Sequence, residues 1–295
     1  MQSRQARHLA SLRLSLLASL GLLPLACGST TQGSPGDGTP NADCGGAPCA
    51  DTGAAHRACF QGTCGRPFLV EAEARVAGVI ESAAWLDEAL ADPRVDHLTA
   101  AERAELTAHW QRLGQMEHAS IAAFARFSLQ LLALGAPSVL VEASTRALAD
   151  ETEHTKLCFR LASAYADRTL GPGPLDIDGS VPSVVLADIV DLVLAEGCFG
   201  ETSAALEALE AADCASDATV RAVYTKIASD EQRHAELAFQ FLRWALERDA
   251  PTVRKRVAAS IASPPSESHA TRAVIIPCLS ALLGRPQGFA TRAIA

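Results

Sequence analysis

Apolar residues recur at three- and four-residue spacing over four long stretches, the period of helices that bury one face. The first stretch opens at Thr99-Ala-Ala-Glu102, a capping-box pattern, and runs to Leu134, where Gly135-Ala136-Pro137 stops it. A second helix is expected from about Ser138 to Ala166, ahead of Gly171-Pro172-Gly173-Pro174, and a third from about Ser183 to Ala212. A fourth starts behind Ser216 and continues to about Arg248, with a short helix near Pro251 to Ala262 after it. The tight turns between helices one and two and between three and four make each pair antiparallel. The link between helices two and three reaches roughly 50 Å when extended, enough to run back along a helix of about 29 residues. These elements predict an all-α domain over residues 99–249, a four-helix bundle with one long crossover, followed by a C-terminal helix and tail over 250–295.

Composition agrees with a helical chain. Of 295 residues 48% are apolar and only 5% aromatic, lysine occurs only at Lys156, Lys226 and Lys255, and the formal charge is −9. That charge argues against a nucleic-acid partner. Residues 1–26 read as a signal peptide that stands outside the folded domain, with Arg4, Arg7 and Arg13 ahead of an apolar stretch too short to span a bilayer. Its end, Leu-Pro-Leu-Ala-Cys27-Gly, resembles the lipobox of bacterial lipoproteins, although Pro24 stands where an aliphatic residue is usual. The resemblance implies acylation at Cys27, a lipid anchor in the membrane and a place in the bacterial cell envelope, facing the periplasm or the exterior.

Residues 27–43 have the composition of a flexible tether. Residues 44–98 form a Cys-rich and then irregular segment. Cys44, Cys49, Cys59 and Cys64 are spaced C-x4-C twice, and an even count behind an export signal reads as two disulfides of open connectivity. A zinc or rubredoxin-like knuckle is the rival reading, but it wants C-x2-C pairs. Residues 65–98 carry no recognisable chemistry.

The helical faces hold the functional signal. At about 100° per residue, Glu142, Arg146, Glu153, Lys156 and Arg160 make the wet face of helix two, whereas Glu151 points nearly opposite with His154 one turn on. In helix four, Arg221, Arg233, Glu236, Arg243 and Glu247 are wet, and Glu231 and His234 lie across from them. In helix one, Glu117 opposes the wet face of Glu105, Arg112, Gln115, Arg126 and Gln130. In helix three, Glu201 lies among Leu186, Val190, Leu194 and Ala208. Four carboxylates and two imidazoles thus aim at one core, and burying them unpaired costs several kcal/mol each, so a cation or protonation must compensate.

These residues resemble the ferritin-like di-metal carboxylate superfamily, which includes bacterioferritin, rubrerythrin and di-iron oxygenase bundles. The matching text is Glu117 ahead of Asp150-Glu151-Thr152-Glu153-His154, then Glu201 ahead of Asp230-Glu231-Gln232-Arg233-His234, and it covers about residues 100–248. The i, i+3 spacing places Glu and His side by side, so a carboxylate can bridge two metals while the imidazole binds one. The resemblance implies metal ligands at Glu117, Glu151, His154, Glu201, Glu231 and His234. Glu196 is the alternative to Glu201, on the edge of the wet face. It also implies that Asp150 and Asp230 accept the free imidazole N–H of the opposite half. His118, about 100° from Glu117, is read as structural, Trp110 and Tyr224 as core, and Cys158 and Cys198 as buried packing.

Oxygen ligands with imidazole suit two iron ions, or manganese, better than copper or zinc. The resemblance implies an oxidoreductase that reacts with dioxygen or peroxide and takes electrons from an external donor, since no C-x2-C pair is present to hold a rubredoxin-like iron. A non-catalytic metal-binding or structural lipoprotein is the alternative, and iron handling a weaker one.

Overall fold

The computed structural model describes residues 2–22, 68–180 and 184–284. Cys27, Cys44, Cys49, Cys59 and Cys64 lie outside these residues. Helix α1 spans Gln2–Ser19, and the short strands β1 (Leu69–Val70), β2 (Glu73–Ala74) and β3 (Val79–Ile80) follow. Next come α2 (Ala100–Ala133), α3 (Ser138–Ala166) and strand β4 (Gly171–Pro172). One continuous rod then comprises α4 (Leu186–Leu192), a π-helical segment (Val193–Glu201) and α5 (Thr202–Cys214). The described residues close with α6 (Ala218–Arg248), α7 (Ala250–Ala262), a π-helical turn (Thr271–Ile275) and α8 (Ile276–Leu283). The protein is mostly helical.

Local chemistry sets the helix ends. Thr99 accepts from the backbone N–H of Glu102 at 3.2 Å while the Glu102 carboxylate accepts from the Thr99 N–H at 2.8 Å, completing the capping box of α2. Gly135 adopts φ +64°, the left-handed turn that ends α2 and that a Cβ would strain. Asp217 caps α6 by accepting from the N–H groups of Thr219 and Val220.

Two apolar clusters stack along the helices. One holds Leu106, Trp110 and Leu113 of α2, Leu157 to Tyr165 of α3, Ala208 and Ala212 of α5, and Val220 to Ala228 of α6. The other holds Phe124 to Leu131 of α2, Leu140 and Ala147 of α3, Ile189 to Phe199 of the α4–π rod, and Ala235 to Ala245 of α6. The order in which each rod meets the clusters gives its direction. Helices α2 and α6 run one way, and α3 and the α4–α5 rod run the other. The connection between α3 and α4 therefore joins two parallel rods, and its β4 pairs antiparallel with β3, Val79 against Pro172 and Ile80 against Gly171.

Two outer segments behave differently from the helical-wheel expectation. Residues 68–98 lie over the α2–α3 side: Phe68 and Val70 pack on Ala119 and Ala123, Gln115 donates to the Ala77 carbonyl, and Arg160 pairs with Asp92. Arg126, placed on the wet face by angle alone, is buried beneath this segment, donating to the Leu69 carbonyl and lying over Phe68, and Gln130, expected on the same face, is buried too. In the full chain, residues 2–22 are not apart from the domain. Leu12, Leu16 and Leu20 are fully buried against α6, α8 and the second π-helical turn, Gln232 donates to Ser15, and Ser15 donates to Glu236 on the expected wet face of α6. An apolar stretch that follows a helical period buries its leucines wherever a groove is offered. No helix among the described residues is long and apolar enough to cross a membrane.

Candidate metal centre

On α2, α3 and α6 the two apolar clusters leave a level between them that charged residues fill, and on the α4–α5 rod Glu201 lies between Phe199 and Ala205 of one cluster. Glu117 of α2, Glu151 and His154 of α3, Glu201 at the end of the π-helical segment, and Glu231 and His234 of α6 are all buried, none more than 2% exposed. Two groups within it each bring one ligand atom per residue to within 4.8 Å of one another: Glu117, Glu151, His154 and Glu231, and Glu151, Glu201, Glu231 and His234. Glu151 and Glu231 belong to both groups.

Both imidazoles turn Nδ1 into the cluster. His154 Nδ1 lies 3.4 Å from Glu117 and 3.7 Å from Glu151, and His234 Nδ1 lies 3.1 Å from Glu151 and 3.3 Å from Glu231. The opposite nitrogens cross between helices: His154 Nε2 meets Asp230 of α6 at 2.9 Å, and His234 Nε2 meets Asp150 of α3 at 3.3 Å. With Nε2–H donated to an aspartate, the Nδ1 lone pair is the one available to a cation. The edge of Phe124 closes over His234 with ring centroids 5.0 Å apart.

Electrostatics within the cluster are unbalanced without a cation. Burial raises the Glu117 carboxyl well above the usual range, and the neighbouring Glu151 charge raises it further. Burial also opposes ionisation of Glu151, but the facing imidazoles outweigh it and hold this carboxyl below its usual range. Burial disfavours charge on both imidazoles as well, yet Asp230 and Glu117 on His154, and Asp150 and Glu151 on His234, push each well above the ordinary histidine range. Both oxygens of Glu117, both of Glu151, and His154 Nδ1 make no well-directed hydrogen bond despite full burial. Buried polar atoms are almost always bonded, so this group fits a bound metal ion.

Glu196, the alternative to Glu201, is also buried but is in neither group. It accepts from Arg126 Nη2 at 2.5 Å, while Arg126 Nη1 donates to the Leu69 carbonyl and its guanidinium lies over Phe68. The cause is the π-helical segment. Its i→i+5 bonding widens the turn, so Glu196 and Glu201 come near one side, where an α-helix would set them about 140° apart.

The other singled-out residues lie outside both groups. His118 is half-buried, edge-on to Trp85 at 5.1 Å. Trp110 and Tyr224 are core residues with centroids 4.9 Å apart, and His109 Nε2 lies 2.6 Å from the Tyr224 hydroxyl. Cys158 and Cys198 are buried, and burial followed by the Glu117 charge pushes the Cys158 thiol up. Angle alone missed Arg233, Lys226 and Gly114. Arg233 contacts both Asp150 and Asp230, and its i+3 spacing from Asp230 was the available signal. Gly114 lets α2 approach Phe159 and Cys158 one turn before Glu117.

Comparisons with protein-family models, curated proteins and solved structures find no match. The fold and the site together define a mostly helical protein with a buried Glu/His cluster able to hold a metal ion.

Proposed function

We propose that this chain is a ferritin-like four-helix bundle whose buried cluster binds two metal ions, iron first and manganese second, and that it is an oxidoreductase acting on dioxygen or peroxide. One observation carries the reading: Glu151 and Glu231 belong to both ligand groups, as two bridging carboxylates would, while Glu117 with His154 and Glu201 with His234 belong to one each. The parallel direction of α3 and α4 and the long connection between them support the ferritin-like topology. The duplicated Asp-Glu-x-x-His text supports it independently.

Bound iron would supply the redox chemistry at this site. The chain's own residues would hold and insulate it: Glu151 and Glu231 would serve both positions, and Glu117 and Glu201 would add charge to one position each. Asp230 and Asp150 keep the Nε2 protons on His154 and His234, leaving Nδ1 as the ligand atom. The apolar clusters above and below keep water from the carboxylates. Electrons come from an external donor. Export with acylation at Cys27 would place the domain in the cell envelope.

The full burial of all six residues also suits a second reading, a metal pair that only staples the helices. The deciding experiment is metal analysis of anaerobically purified protein, with optical spectra and oxygen uptake after reduction. Near two irons per chain, lost in both Glu151→Ala and Glu231→Ala, with rapid oxidation of the ferrous form, supports the oxidoreductase. Bound metal with no oxidant-dependent change supports the staple, and metal-free parent protein refutes both.

A further inference from the structure

Both imidazole–aspartate pairs converge on one side chain. Arg233 Nη2 donates to Asp150 Oδ2 at 3.0 Å, and the same nitrogen lies 2.7 Å from Asp230 Oδ1. Asp150 accepts from His234 and Asp230 from His154, so a single guanidinium nitrogen is the next neighbour of both proposed metal-binding imidazoles. Arg233 Nη1 donates to the Ser229 carbonyl, one turn back on α6, which fixes the plane of the group. The two aspartates come from different helices, α3 and α6, and their side chains are 15% and 5% exposed.

The two halves are not equivalent. The residue before His234 is Arg233, but the residue before His154 is Glu153, an anion that cannot hold an aspartate. Glu153 instead pairs with Lys226 at 3.0 Å, and Lys226 Nζ reaches Asp230 Oδ2 at 3.1 Å without reaching Asp150. Asp230 therefore has two cations and Asp150 has one, the shared guanidinium. An exposed ion pair alone is worth little. Here the two carboxylates are largely buried although the Arg233 side chain is 43% exposed, and a planar group with several fixed N–H donors meets both carboxylates at once, a geometry that an ammonium does not offer.

We propose that Arg233 is the positioning residue for both halves of the site: it holds Asp150 and Asp230 in place across the α3–α6 contact, and through them orients His234 and His154 together. This rests on the metal-binding reading of the cluster. Loss of the guanidinium loosens both imidazoles, whereas loss of Lys226 loosens only the His154 side.

The test uses the full chain and three variants, Arg233→Gln, Arg233→Lys and Lys226→Gln. Imidazole nitrogen NMR of the metal-free proteins reads each Nε2–H directly, and titration with cobalt(II), followed by visible absorption, reads the affinity of each position. Arg233→Gln is expected to shift both Nε2–H signals and to lower cobalt affinity about 10–100-fold at both positions. Arg233→Lys should fail to restore both signals, and Lys226→Gln should move only that of His154. An Arg233→Gln spectrum with either imidazole as in the parent overturns the proposal. So does full rescue by lysine, or a Lys226→Gln spectrum matching Arg233→Gln. A parent that takes up no cobalt defeats the metal reading, and the NMR comparison still decides whether Arg233 holds both imidazoles.

Discussion

Glu196 and Glu201 sit five residues apart on one rod, and both carboxylates are buried, one against the guanidinium of Arg126 and the other in the Glu/His cluster. The π-helical segment between them brings together two acids with different partners. Arg126 also bonds the Leu69 carbonyl, so the same pair ties the covering segment to the helices.

Removing Arg126 takes the guanidinium away from a buried carboxylate. Arg126→Met is expected to cost about 3–5 kcal/mol in urea unfolding. The double variant Arg126→Met/Glu196→Leu should recover most of that loss, because the buried carboxylate is removed along with the guanidinium. Glu196→Gln should leave metal content unchanged by elemental analysis, whereas Glu201→Gln should lower it.

At Gly114 an added Cβ would lie 2.9 Å from two ring carbons of Phe159 and 3.2 Å from the Cys158 Cβ. Phe159 is fully buried and has no room to swing aside. Gly114→Ala gains about 1 kcal/mol of helix propensity but incurs an overpacking cost of about 1–3 kcal/mol. Net destabilisation is expected in thermal unfolding, together with weaker metal binding, since Glu117 lies one turn away.

Metal binding should release protons. His154 and His234 have their affinities for protons raised well above the ordinary histidine range, and Glu117 is raised as well, so metal must displace protons from all three. Calorimetry in two buffers of different ionisation enthalpy should read that release, and affinity should fall as pH falls. Metal-free protein has the opposite sign. A raised histidine stabilises fully below its unfolded value near 6.5, and that stabilisation is lost as pH climbs through the higher folded value. Urea midpoints of the metal-free protein should therefore decline above about pH 6.5, while those of the loaded protein should not.

Helix α1 contributes three fully buried leucines, each worth about 1.5–3 kcal/mol on burial. A chain beginning at Cys27 is expected to unfold at lower urea than the full chain. It should also bind an apolar dye more strongly, because the groove between α6 and α8 is uncovered. Leu16→Asp in the full chain should reproduce part of both effects.

The helices and the ligand text were legible along the chain because each rests on local rules. Thr99 with Glu102 marks the start of α2, Gly135 its end, and the i, i+3 spacing of Glu151 with His154 and Glu231 with His234 sets each pair on one face wherever the helix lies. The crossed aspartates were legible only through the family resemblance, since nothing local says that Asp230 faces His154. Tertiary structure decided the remainder. A helical wheel assigns wetness by angle from its own apolar stripe, so it placed Arg126 and Gln130 in water. It could not see that Phe68 and Leu69 return from far away in sequence to cover Arg126. It also assumes 100° per residue, and the π-helical segment breaks that assumption, which is why Glu196 was expected at a wet edge and lies buried against Arg126. The burial of α1 has the same origin. Its leucine spacing specifies a helix with an apolar face, but the groove that receives it is built by α5, α6 and α8, more than 180 residues further along the chain. Local periodicity determines which side chains share a face. What that face meets depends on contacts between distant segments, and those form only when the chain folds.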